Sequence, residues 1–187
     1  MVRKLPGTTI ELSLESSDSA RELLGSIFMA GGLVLSQVSG LTGLEPYIIQ
    51  NWIKRGFLSP PVHKKYSKRQ FCRIAIINML RDVIQIEKIT SLLSYINGRL
   101  DDESDDIIDD SELYCYYIDA VHGVDDQPAA ESMDVRVKNS VENAVKGFEE
   151  PFPGAKRRLI KTLAVMVYAH YAALMRSSAE DILNSLD

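Results

Sequence analysis

No Asp or Glu occurs between Pro46 and Arg81, and no Lys or Arg occurs between Asp101 and Asp134. The first stretch holds eight Lys or Arg residues, the second thirteen Asp or Glu residues. Screening in physiological salt acts within about 8 Å, so each block sets its own local field. The overall charge of -5 therefore does not bar a polyanion from the first block. Cysteine is scarce. Cys72 and Cys115 form no CxxC pair, and His63, His122 and His170 are the only histidines. A structural zinc site needs four clustered Cys or His ligands, so no metal or cofactor is expected. Few cysteines and no signal-peptide pattern point to a reducing cytoplasm. P-loop, GxSxG and HExxH motifs are missing, as is a GxGxxG run after a strand, so an enzyme is not expected.

One long uncharged run is present. Leu23 to Leu44 carries no charge over 22 residues, about the length that spans a bilayer. Five glycines and Ser26, Ser36, Gln37, Ser39 and Thr42 interrupt it. It reads as one helix end, a Gly31-Gly32 break and a second helix start, with no membrane as partner.

The first seven residues read as a loose end, and Ile10, Leu12 and Leu14 as a short extended piece. Ser17 caps a helix whose apolar face holds Leu23, Leu24, Ile27 and Phe28. Past the motif region a helix is expected from about Ser111 to Val121. A loop around Gly123 to Pro128 follows, then a helix ending near Gly147, then the Pro151–Gly154 breaker. The last long helix runs from about Ala155 to Met175, with Leu159, Leu163, Val167, Tyr171 and Leu174 at helical spacing. Val165, Met166 and Ala169 widen its apolar surface, which implies burial on more than one side or a dimer interface. Ser178 restarts a short helix with Ile182, Leu183 and Leu186 inward. No repeat or heptad run is read. The division is 1–32 as a helical extension, 33–98 as a helix-turn-helix domain and 99–187 as an acidic helical part for dimerisation or sensing.

Within 33–98, Ser36 reads as an N-cap and Gly43 as a turn. Pro46 sits at a helix start, where a missing N–H costs nothing, and Gly56 ends that helix. Ile48, Ile49, Trp52 and Ile53 project to one side. Tyr47, Gln50, Asn51 and Lys54, at spacing i, i+3, i+4, i+7, project to the other. Gln and Asn suit bidentate pairing with adenine in the major groove, and Lys54 suits guanine or phosphate. Phe57 to Tyr66 holds two adjacent prolines and fits a short two-stranded β wing with Lys64 and Lys65 near its tip or in its second strand. Ser67 and Gln70 form a capping box. It opens a helix with Lys68 and Arg69 in its first turn, a ready phosphate site. Phe71 to Leu80 is apolar nearly all round, so that helix belongs in the core. Ile86, Ile89, Leu92, Leu93 and Ile96 mark one more, closed by Gly98.

Leu41-Thr42-Gly43, Gly56-Phe57-Leu58, Pro60-Pro61 and Tyr66 occupy the places that the MerR family of bacterial regulators gives to its helix, turn, helix and wing. The segment from about Val34 to Asn97 resembles that DNA-binding domain. The run from Ile49 to Gln70, with Arg73 to Arg81, is similar to DUF1836, a bacterial family described as having a MerR-like helix-turn-helix. Two departures stand out. Gln50, Asn51, Trp52 and Ile53 replace the usual Arg-Tyr-Tyr-Glu run, and an acidic stretch stands where MerR regulators carry a dimerising coiled coil.

These observations lead to an all-α expectation: a MerR-like winged helix-turn-helix with a small β wing, plus a helical C-terminal part. The expected function is double-stranded DNA binding in transcriptional regulation through Tyr47, Gln50, Asn51, Lys54, Arg55, Lys64, Lys65, Lys68 and Arg69. A homodimer is expected because one recognition helix reads few base pairs, and the C-terminal part could sense an unknown effector. The alternative is a protein–protein adaptor on a helix-turn-helix-like fold. The acidic run from Asp101 to Asp110 has three readings: a solvated loop, a helix-dipole partner, or a competitor with DNA for the basic face. Tyr114, Tyr116, Tyr117 and His122 either pack in the core or line a small pocket.

Overall fold

The computed structural model describes residues 2–13, 17–100 and 102–186. Leu14 and the side chain of Ser17, two of the expectations above, lie outside the described residues. The fold is all-α apart from one short antiparallel pair, β1 (Val2–Lys4) and β2 (Glu11–Ser13), in register Val2 to Ser13 and Lys4 to Glu11. The helices are α1 (Ser17–Phe28), α2 (Leu35–Thr42), α3 (Pro46–Lys54), α4 (Lys68–Leu80), α5 (Ile86–Asn97), α6 (Asp110–Asp125), α7 (Met133–Ala144) and α8 (Ala155–Asn184). A 3-10 turn, Glu103–Asp105, precedes α6.

α4 is the axis of the molecule. Nine of its thirteen residues are buried, on every side of the helix. A helix without a polar face needs neighbours all round, and α2, α5, α6 and α8 supply them. Buried apolar residues form one continuous cluster from Leu5 to Ala169.

The chain start is docked, contrary to the loose end expected. Leu5 is fully buried. Asn78 Nδ2 donates to Gly7 O at 2.9 Å and to Thr42 O at 3.0 Å. The Thr9 N–H donates to Leu41 O at 2.8 Å, and the Tyr114 hydroxyl donates to Pro6 O. Gly7 has φ +71°, and a Cβ there would sit 2.0 Å from Ala75 O. The reason is long-range: the segment packs on α4 at Ala75, and only a glycine lets the strand connection lie that close.

Three further corrections concern the helices. α2 begins at Leu35 after Val34, whose N–H is held by Gln37 Oε1 at 2.9 Å, so Ser36 is not the cap. α6 runs through Gly123, where a loop was expected. The glycine lets α7 approach, since a Cβ would meet Ser140 Oγ at 2.3 Å, and that hydroxyl donates to Ala120 O. α8 does not break at Ser178. Ser178 Oγ bonds back to Leu174 O at 3.0 Å, and Arg176 Nε pairs with Glu180 at 2.9 Å across one turn. Both contacts lie within the helix and favour its continuation. Ile182, Leu183 and Leu186 are exposed, not inward.

Tyr114 and Tyr117 are fully buried, and the Tyr117 hydroxyl shares a hydrogen bond with His170 Nδ1 at 2.7 Å. Burial raises both phenol pKa values well above the ordinary range. It lifts Cys115 to about 11 and Cys72 higher than normal too, so both thiols stay neutral. Tyr114 and Tyr117 are therefore core, while Tyr116 and His122 are half-buried at its edge. Among the described residues no helix is long and apolar enough to cross a membrane.

Candidate nucleic-acid interface

α3 is fixed by its buried side. Ile49 is fully buried, and Trp52 is nearly so, beneath the Arg81 guanidinium 5.9 Å from its ring. Pro46 stands at the first helical position, and Gly56 follows the helix at φ +75°. The opposite side faces solvent. Tyr47 is 67% exposed, and Gln50, Asn51 and Lys54 are exposed with it.

The loop from α3 to α4 is riveted by two side chains of α4. Gln70 Nε2 donates to Ser59 O and Pro60 O, each at 3.0 Å, while its Oε1 accepts from the Ser67 N–H at 2.9 Å. Ser67 Oγ in turn accepts from the Gln70 N–H, the reciprocal cap legible in the sequence. Arg73 Nε donates to Phe57 O at 3.2 Å.

At the loop's far end Val62 and Lys65 form an antiparallel bridge, closed by the Lys65 N–H on Val62 O at 2.9 Å. His63 and Lys64 have φ of 49° and 63°, the pattern of a type I′ two-residue turn. A second bridge ties Tyr66 to Leu33, just before α2. The turn sits across from the N-terminus of α2 and the exposed side of α3. Between them lies a mostly apolar cleft of about 500 Å³, lined by Leu35, Gln50, Ile53, Pro61, Lys64 and Tyr66 among others.

The structure thus brings Gln50 and Lys64 to one cleft. It leaves Tyr47, Asn51, Lys54 and Lys65 exposed but outside its lining. Lys68 is half-buried at the start of α4. No carboxylate among the described residues forms an ion pair with Lys54, Lys64, Lys65 or Lys68.

The two arginines of the expected set are placed differently. Arg55 pairs with Glu87 at 2.6 Å and stacks on Phe57, 4.5 Å from the ring centre. Arg69 bonds Asp106 and lies 3.9 Å from Asp109 and 3.8 Å from Asp110. Arg73 NH1 pairs with Asp110 at 3.1 Å, and Asn97 Nδ2 donates to the same carboxyl at 3.0 Å. Only 1% of the Asp110 side chain is exposed. Burial outweighs the Arg69 charge at Asp106 and raises its pKa. The end of the acidic run is therefore not a solvated loop. It clamps the basic start of α4, and Asp110 lines one cavity with Val62, Lys65, Arg69 and Arg73. Sequence reasoning raised contact between the acidic run and the basic face as one of three readings, but not the pairs Arg69–Asp106 and Arg73–Asp110 that make it.

Residues 32–117 match the family model described as "Domain of unknown function (DUF1836)". The DUF1836 match begins at the Leu33–Tyr66 bridge and ends inside α6, so it includes α3, the Val62–Lys65 turn and the clamp on α4. The chain is also similar to the Uncharacterized protein YkrK of Bacillus subtilis (strain 168), with 28% identity over 161 residues. That alignment covers 80% of this chain and 69% of YkrK. No solved structure matches the chain. The DUF1836 description carries no activity, so function rests on the geometry above.

Proposed function

We propose that this protein binds double-stranded DNA and regulates transcription, with α2 and α3 as a helix-turn-helix of the MerR kind and the Val62–Lys65 turn as its wing. One observation carries the reading. The polar side of α3, with Tyr47, Gln50, Asn51 and Lys54, is exposed, Lys64 lines one cleft with Gln50, and Lys65 follows it in the turn; among the described residues none of these lysines forms an ion pair with a carboxylate. An exposed helix side with amide side chains suits base edges in the major groove, and flanking lysines suit phosphates. Arg55 and Arg69 are left out of the contact set, because internal carboxylates already hold them. A homodimer fits this reading, since two half-sites multiply discrimination.

Selection from random DNA tests it. Gln50→Ala and Asn51→Ala should leave thermal stability within about 0.5 kcal/mol. Preference for the enriched site should fall by about 1–3 kcal/mol when a bidentate base contact is lost. Non-specific binding should hold, because neither side chain is charged. Equal enrichment of one motif by all three proteins, or of none, would favour the adaptor reading instead.

Lysine contacts have a separate readout. Lys64→Ala with Lys65→Ala should weaken binding to every sequence alike. The log–log salt slope should drop by about 0.9 for each phosphate contact removed. A slope identical to wild type would exclude the turn as a phosphate ligand.

A further inference from the structure

The continuity of α8 exposes a pattern that a break at Ser178 hides. Tyr168, Ala172, Met175, Ala179, Ile182 and Leu186 follow one another at steps of 4, 3, 4, 3 and 4, and Val165 precedes them by 3. That is the a/d seam of three heptads, the spacing at which two helices wind together. Every one of these residues is exposed, Met175 to 70% and Ile182 to 65%. The body of the protein packs on the other side of the same helix, through Leu159, Leu163, Met166 and Val167. At 100° per residue the seam lies opposite that buried side. Among the described residues α7 reaches its edge at one point, where the Tyr168 hydroxyl donates to Asp134 Oδ1 at 2.6 Å, and Tyr168 still stays 41% exposed.

We propose that this seam binds the seam of a second copy of the chain, with the two α8 helices antiparallel. The inference rests on α8 alone and does not need the DNA reading. Size permits it. In the pairing described next the seam overlaps from Val165 to Ile182, about 27 Å, and covering it from both copies removes on the order of 1,000 Å² from water, the threshold for a specific interface.

The side-chain volumes identify the partner and its direction. In the antiparallel register centred between Ala172 and Met175, Val165 faces Ile182, Tyr168 faces Ala179 and Ala172 faces Met175. By symmetry each pairing occurs twice. Tyrosine and methionine thus each meet an alanine, so every layer has similar volume, as close packing requires. In a parallel pair each residue faces its own copy. Tyr168 would crowd Tyr168, and gaps would open at the two alanine layers. The seam is complementary to itself in one direction only, which makes a second copy the partner of choice. The two bodies then lie on opposite outer sides of the helix pair.

Sedimentation equilibrium over a range of concentrations, followed by cross-linking, tests the proposal. Wild type should be a dimer. Met175→Glu with Ile182→Glu should be monomeric, with the helical circular dichroism at 20 °C unchanged, because both positions are exposed in the protomer. Val165→Cys and Ile182→Cys variants, mixed and oxidised, should cross-link to each other more than either does alone. Cys72 and Cys115 are buried and should give no background. A wild type that stays monomeric at about 100 µM, a hundredfold above a micromolar Kd, overturns the proposal and leaves the seam to another protein. A dimer indifferent to the two glutamates overturns it as well. Self-cross-linking of Val165→Cys in preference to the mixed pair overturns the antiparallel register.

Discussion

Asp110→Ala should destabilise the protein by about 3–5 kcal/mol, the usual cost of removing one member of a buried ion pair. The carboxylate accepts from Arg73 and Asn97 and neighbours Arg69. Its loss strands the Arg73 guanidinium, whose side chain is only 7% exposed, and leaves the Asn97 amide without an acceptor. For a chain of this length the melting temperature should drop by about 6–20 °C, at 2–4 °C per kcal/mol. Thermal or urea unfolding measures it. Arg73→Met combined with Asp110→Leu should recover much of the loss, since neither charge is then buried alone. A single variant within about 0.5 kcal/mol of wild type would refute the clamp, because that is the range of ordinary surface changes.

Gly7→Ala should be nearly as damaging, at about 2–5 kcal/mol. Left-handed backbone costs an alanine about 1–2 kcal/mol, and overpacking adds about 1–3 kcal/mol. The clash is with a carbonyl of the central helix, Ala75 O, which cannot swing aside as a side chain would. The ceiling on the loss is the free energy of undocking the segment, so the variant should also expose residues 2–10 to proteolysis. A Gly7→Ala protein of wild-type stability and protease resistance would show that the segment is not held against α4.

What was legible in the sequence was local. Pro46 and Gly56 bound α3, the split of Trp52 from Gln50 and Asn51 set its sides, and Ser67 with Gln70 opened α4. Each signal lies within one or two turns of the residue it governs. The structure places all of them as read. What was not legible depends on partners far away in sequence. Leu5 and Gly7 looked loose because their partners, Ala75 and Asn78, lie about seventy positions on. Arg69 looked free for phosphate because Asp106 is 37 positions away. The two charge blocks were visible and their contact was one of three readings, but not which carboxylates reach which arginines. Ser178 misled in another way: a serine before Glu180 and Asp181 reads as a helix start, yet the Arg176–Glu180 pair and the back-bonded hydroxyl suit a helix that continues.

The turn at His63 and Lys64 has a consequence for how this protein could be improved and what improvement would cost. Both residues hold a backbone conformation that asparagine and glycine adopt far more easily. A sequence chosen for folding alone would place Asn-Gly there. His63→Asn with Lys64→Gly should therefore raise stability, by up to about 1–2 kcal/mol for each strained position relieved. The same exchange deletes a cation from the edge of the cleft. If stability rises while DNA affinity falls, the chain carries strain at this tip for the sake of a contact, and evolution has traded thermal margin for binding. If both rise together, the lysine is merely tolerated.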